Sequence, residues 1–314
     1  MAKNRSGAWS AGITGAALGV AAGAALGAYV LAPGGGIEWG GGQAAEERDA
    51  AIVERDDANT RADAANGVVE DLAAQVVDGS LADVPVLLVT APDAEARSVD
   101  SMEALLRDAG APEVTRMGLT AKFQSAEGAD ELKDVVTSAL PAGAELDEER
   151  RDPGYQAGQA MSPALLLGDD AGERANVADR RLLLGSLRDA GFIDYEDGTM
   201  RPTAAVVIVT GSGEGAAAGR GGAGEGAPVV GSRILADFAE ALSSDGTVVV
   251  AGEPAAKRDG GVIDVLEKSA TAGSVATQAA VGDPAGRVGV IRAIVEKKPA
   301  PAGRSANGEA APAE

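Results

Sequence analysis

Ala204-Ala205-Val206-Val207-Ile208-Val209-Thr210 is an unbroken apolar run, rich in β-branched residues and closed by Gly211. A short run of this kind, bounded by turn residues, reads as a strand buried on both faces. Val84-Pro85-Val86-Leu87-Leu88-Val89-Thr90 and Thr247-Val248-Val249-Val250-Ala251 have the same character, and Ala164-Leu165-Leu166-Leu167 reads as a fourth strand. Helical spacing fills the intervals near residues 98–109, 129–140, 175–190 and 232–242, while residues 288–295 fit either a strand or a helix. Continuous apolar strands alternating with amphipathic helices predict an α/β fold, with a mostly parallel sheet covered on both faces. That domain spans residues 79–297, either as one body or as two similar halves. Leu105-Leu106-Arg107-Asp108-Ala109-Gly110 and Ser186-Leu187-Arg188-Asp189-Ala190-Gly191 are near copies. A shared helix C-cap explains them as well as duplication does.

Upstream, residues 43–78 are charged, alanine-rich and full of helix formers. Alternating steps of four and three pick out Ala44, Arg48, Ala51, Arg55, Ala58, Ala62, Ala65, Val69, Leu72 and Val76. This is a heptad seam, poor at its start and better at its end, and it predicts a coiled-coil stalk. The alternative is a single solvated helix carrying intrahelical ion pairs.

Residues 33–42 form a glycine-rich linker, and residues 8–32 contain no charge. Crossing the hydrocarbon core takes roughly 20 apolar residues, so this segment is long enough for a transmembrane helix. Gly15, Gly19, Gly23 and Gly27 recur every fourth residue. They make a bare stripe of the kind that lets membrane helices pack closely. Trp9 and Tyr29 fall near the two ends, Lys3 and Arg5 precede the span, and the first charges after it are acidic. By the positive-inside rule residues 1–7 form a cytoplasmic tip and the body lies outside the membrane. A cleaved signal peptide is the competing reading. Residues 298–314, built of Pro, Ala, Gly and Glu, are expected to be a disordered tail.

The 314 residues include 27 basic and 48 acidic ones, for a net charge of −21. That argues against nucleic acid as a partner, since phosphate binding needs clustered Lys and Arg. The expected partners are the membrane, further copies of the chain through anchor and stalk, and a membrane-protein partner. There is no cysteine and no histidine. Thiol nucleophiles, Ser-His-Asp arrangements and imidazole-bound zinc are thereby excluded. No catalytic constellation stands out, and no cofactor is named by composition.

Soft metal ions favour sulfur and imidazole ligands. This chain offers only Met1, Met102, Met117, Met161 and Met200, widely separated. Carboxylates at Glu145, Asp147, Glu148 and Glu149, and at Asp169 and Asp170, read as solvated acidic loops. Arg150, Arg151 and Asp152 read as a loop ion pair. Gly211-Ser212-Gly213-Glu214-Gly215 looks like a phosphate cradle, but no helix opens immediately after it, so it reads as a surface loop.

One family shares these blocks. The anchor with its charged helix is followed by Val89-Thr90-Ala91-Pro92-Asp93-Ala94 and then by Gly118-Leu119-Thr120-x-x-Phe123. Next come Glu131-Leu132-Lys133-Asp134-Val135-Val136 and Leu140-Pro141-Ala142-Gly143-Ala144-Glu145-Leu146. Leu187-Arg188-Asp189-Ala190-Gly191-Phe192-Ile193-x-Tyr195 and Ala205-Val206-Val207-Ile208-Val209-Thr210-Gly211 complete the series. In this order they resemble the mycobacterial copper transport protein B (MctB) group of actinobacterial envelope proteins. The resemblance implies a membrane-anchored, exported protein of copper efflux or copper homeostasis, with copper as its metal. It also implies partners in the cell envelope and in division.

Overall fold

Pro85 ends the approach to the first strand, because it has no N–H to give to a sheet ladder. Its carbonyl instead accepts from the amides of Ala204 (2.9 Å) and Ala205 (3.3 Å). Strand β1 therefore begins one residue later and runs Val86–Thr90. The computed structural model describes residues 41–142, 144–168, 170–211 and 227–297. The transmembrane expectation, with Gly15, Gly19, Gly23 and Gly27, and the tail 298–314 lie outside them. No helix among the described residues is long and apolar enough to cross a membrane.

Around β1 a six-stranded sheet is built in the order β3-β2-β1-β4-β5-β6. The other strands are β2 (Val114–Leu119), β3 (Ile193–Tyr195), β4 (Ala205–Thr210), β5 (Thr247–Gly252) and β6 (Ala276–Ala279). All neighbours pair parallel except β3, which runs antiparallel to β2 at one edge. Val86 is level with Val114 on one side and Ala205 on the other. Every residue of β4 and β5 is buried, because both faces are covered. Leu87, Val89, Val206 and Ile208 enter one core, and Val86, Leu88, Val207 and Val209 enter the other. The mostly parallel α/β sheet expected from the apolar runs is present.

The helices are α1 (Gly41–Val77), α2 (Ala96–Asp108), α3 (Ala129–Ser138), α4 (Pro153–Leu165), α5 (Val177–Asp189), α6 (Ala227–Ser243), α7 (Val262–Lys268) and α8 (Pro284–Lys297). The first core takes side chains from α3 through α7, and the second takes them from α1, α2 and α8. Two compact units divide the chain, Met1–Arg61 and Ala62–Glu314. In the first unit the described part of α1 is exposed and carries short-range ion pairs, Arg55 with Asp56 (2.7 Å) and Arg61 with Asp57 (4.0 Å).

Three expectations are corrected or settled. Ala164-Leu165-Leu166-Leu167 is not a strand: Ala164 and Leu165 end α4, and Leu166 and Leu167 make only isolated bridges to Thr203 and Glu173. An apolar run of this length is equally at home in a helix buried all round, as α4 is. Residues 288–295 resolve as helix, inside α8. Of the residues 33–42 assigned to a linker, Gly41 and Gly42 belong to α1, and the others lie outside the described residues. The near-copies Leu105–Gly110 and Ser186–Gly191 make the same C-cap. Gly110 (φ +86°) donates to Arg107, and Gly191 (φ +77°) donates to Arg188.

Candidate functional site

In an open parallel sheet, ligands gather outside the carboxyl ends of the strands, where the strand order reverses. Here that place lies between β1 and β4. The amide of Ala91 carries the ladder one step past β1 by donating to Val209 (2.8 Å). Beyond it, the hydroxyl of Thr210 donates to the carboxylate of Asp93 (3.1 Å). Gly211 passes so close that a Cβ there would sit 2.1 Å from the Asp93 carbonyl oxygen. Just past β5, the Glu253 amide donates to Gly211 (3.3 Å), and its carboxylate accepts from the buried hydroxyl of Ser98 (2.9 Å). Gly282, after β6, leaves room for that same carboxylate. Two carboxylate–hydroxyl pairs thus lie at the carboxyl ends of the central strands. The loop after β1, Ala91-Pro92-Asp93-Ala94-Glu95, carries none of the glycines of a dinucleotide fingerprint.

A second polar cluster lines an open cleft of about 500 Å³ between α6 and α7. Arg150 donates to Asp237 (3.1 Å) and to Glu240 (3.2 Å) and stacks on the ring of Tyr155 at 3.7 Å. Burial, and after it the charge of Asp152, pushes the Asp237 carboxyl up to about 6. Burial also acts to raise Glu240, but hydrogen bonds from Ser269 and Thr271, and then Arg150, outweigh it and hold that carboxyl below its ordinary value. Two carboxylates served by one guanidinium are thus driven in opposite directions. The expected loop ion pair is present only in its weakest form: Arg150 lies 4.0 Å from Asp152, and its stronger partners are on α6. No local sequence spacing links Arg150 with Asp237 or Glu240.

The seam of α1 is placed as follows. Ala51, Ala58, Ala62 and Ala65 are exposed and Val69 is half-buried. Leu72 and Val76 are 48% and 66% exposed, and Val68 beside them is 60% exposed. The adjoining side of the same turns, Ala73 and Val77, is buried in the second core. Asn66 and Glu70 continue that inner side, with Asn66 donating to Asp283 (3.2 Å) and Glu70 pairing with Arg287. The heptad spacing did not pick out the inner stripe, which consists of one alanine, one valine and two polar residues.

Met102 is fully buried in one core, and Met117 and Met161 are fully buried in the other. Among the described residues they do not converge with each other or with Met200, which packs at the edge of the first core. The same residues contain no group of three or more acidic side chains arranged to hold a metal ion. Asp147 and Asp170 cap local turns, accepting from the amides of Glu149 and Gly172. Copper(I) therefore finds no ready soft-ligand site among the described residues of the α/β unit.

A family model described as "Copper transport outer membrane protein, MctB" matches residues 10–305. A copper transporter MctB of Mycobacterium tuberculosis is 29% identical over 246 residues, covering 77% of this chain and 75% of its own length. The protein of the same name from Mycobacterium leprae is 30% identical over 233 residues, covering 71% and 69%. That from Mycobacterium bovis matches over 246 residues at 29% identity.

Proposed function

This chain belongs to the MctB family, and from that premise we propose that it is a membrane-anchored envelope protein of copper efflux and copper homeostasis. The family match over residues 10–305 carries the reading, supported by the mycobacterial relatives named as copper transporters. In this proposal residues 1–7 are cytoplasmic, 8–32 span the membrane and 33–40 link the span to α1. The helix up to residue 78 is a self-associating stalk, 79–297 form the α/β body outside the membrane, and 298–314 are a tail. One spanning helix gives an ion no path of its own. Transport thus requires several chains packed through Gly15, Gly19, Gly23 and Gly27, or a separate channel protein.

A second reading, a coiled-coil scaffold working with a membrane partner in the envelope or in division, is favoured by one observation. Val68, Leu72 and Val76 expose an apolar stripe on α1. A deletion strain grown in graded copper, with its septa imaged, separates the two. Copper sensitivity with normal septa, reversed by the wild-type chain, is the expected result. Full copper tolerance with chained or elongated cells would sink the transport reading in favour of the scaffold.

A further inference from the structure

A cleft of about 400 Å³ opens between α5 and the segment that follows β3. Arg180, Arg181, Arg188 and Arg201 line it against only two carboxylates, Glu173 and Asp197. This is a local positive site on a chain of net charge −21. Three of the four guanidinium groups are engaged. Arg180 is buried, pairs with Glu173 (2.8 Å) and donates to the carbonyls of Ala164 and Ala175 (3.1 Å each). Arg188 pairs with Asp197 and lies over the ring of Tyr195 at 4.7 Å. Arg201 pairs with Glu113 through its Nε alone (3.3 Å). Arg181 is exposed and joins no ion pair or hydrogen bond among the described residues.

The floor of the cleft is the second observation. Gly185 sits in the interior of α5, four residues after Arg181 and three before Arg188, so the three share one face. A glycine inside a helix is about 1 kcal/mol less favourable than alanine. Such a residue is ordinarily kept by a close contact or a left-handed backbone. Gly185 has neither: a Cβ there would meet nothing within 4 Å, and its φ is not positive. What the missing side chain does is leave the cleft open. Exposed Val177, eight residues before Gly185 on the same face, and half-buried Met200 border that bare floor with apolar surface.

We propose that this cleft binds a small organic anion, a carboxylate or phosphate monoester carrying a short apolar chain. The anionic head is taken by the fork of Arg181 with the free edge of Arg201, since planar guanidinium donors match both oxyanions. The apolar chain lies across Gly185 against Val177 and Met200. The site owes nothing to the copper proposal and stands or falls apart from it.

Calorimetric titration of the full chain with hexyl phosphate, hexanoate and inorganic phosphate tests this directly. At least one of the two amphiphilic anions should saturate a single site, and which one does so identifies the head group. Inorganic phosphate should bind about tenfold more weakly or less, for want of the apolar contact. Arg181→Ala, a change on an exposed helix face, should weaken binding by about tenfold. Gly185→Leu should abolish binding while leaving the melting temperature equal or higher. Absence of saturable binding by both amphiphiles overturns the proposal, as does unchanged affinity in both variants. Inorganic phosphate binding as tightly as hexyl phosphate overturns the amphiphile assignment.

Discussion

The guanidinium of Arg287, buried near the start of α8, is met by the carboxylate of Glu70 on α1. Arg287 also donates to the carbonyls of Gly282 (2.7 Å) and Val281 (3.3 Å), so one side chain fastens the turn after β6 to the helix that precedes the sheet. Removing one partner of a buried pair leaves the other charge uncompensated, whereas replacing the pair with apolar groups is often neutral. Because Glu70 is itself half in solvent and the two carbonyl bonds retain part of the satisfaction of Arg287, Glu70→Ala should destabilise the chain by about 1 kcal/mol. The double variant Glu70→Ala with Arg287→Met should recover part of that loss. Urea unfolding, read as a shift in midpoint at constant slope, measures both. Equal midpoints for wild type and Glu70→Ala would show that the pair contributes nothing.

Two glycines of α4 set how closely it approaches α6. A Cβ on Gly154 would lie 2.0 Å from the carbonyl oxygen of Ile234, and one on Gly158 would lie 2.7 Å from that of Phe238 and 2.6 Å from the Ala241 Cβ. Behind this contact, Phe238 meets Phe123 edge-on at 5.2 Å. Forcing a methyl into such a contact costs about 1–3 kcal/mol, so Gly158→Ala should destabilise despite the better helix former. Gly67 on α1 is the control: a Cβ added there would meet nothing within 4 Å, and alanine should stabilise by about 0.5–1 kcal/mol. Thermal unfolding of the two variants should thus move in opposite directions.

Asp237 makes stability depend on pH with a definite sign. Its carboxyl, pushed up to about 6 by burial and by Asp152, holds a proton more tightly in the folded chain than in the unfolded one. Its contribution is therefore most favourable at acid pH, is lost as pH rises between about 4 and 6, and remains lost above that. Asp237→Asn should be close to neutral at pH 4 and stabilising at pH 7.5, by about 1 kcal/mol once solvent screening is allowed for. Arg150 keeps Glu240 as its partner in the variant. Denaturation midpoints of the two proteins across this range check the sign, and a variant less stable at pH 7.5 than at pH 4 relative to wild type contradicts it.

The parallel sheet was readable because Val206-Val207-Ile208-Val209 and Val248-Val249-Val250 are apolar on both faces, a pattern few other settings tolerate. The edges were not readable. Strand β2, Val114-Thr115-Arg116-Met117-Gly118-Leu119, alternates, with Arg116 turned out to Asp100 and Glu103, and it resembles a polar loop. Helix α4, Pro153–Leu165, is made of small residues buried nearly all round, so it has no polar face to give it a helical period. Its last residues then passed for a strand. The sites were harder still. Arg150 and Glu240 are 90 positions apart, and Asp93 and Thr210 at the carboxyl edge are 117 apart, so only the fold brings them together.

The stalk proposal makes its own demand on α1. Val77 and Ala73 are committed to the core, while Leu72 and Val76 on the adjoining side remain exposed and lie on the heptad seam. Two copies packed in parallel through that seam would bring Leu72 opposite Leu72, and Val76 opposite Val76. Because the chain has no cysteine, a single introduced thiol reports on its own position without interference. Disulfides form only where Cβ atoms approach to about 4 Å, so Leu72→Cys and Val76→Cys should cross-link copies of the full chain under mild oxidation. Ala74→Cys, exposed but off the seam, should not. Adding Val68→Glu to the Leu72→Cys chain should suppress its cross-link by placing like charges across the interface, with the circular dichroism of the α/β unit unchanged. Equal cross-linking at Ala74 and Leu72, or none at any position, would remove α1 as the surface through which copies associate.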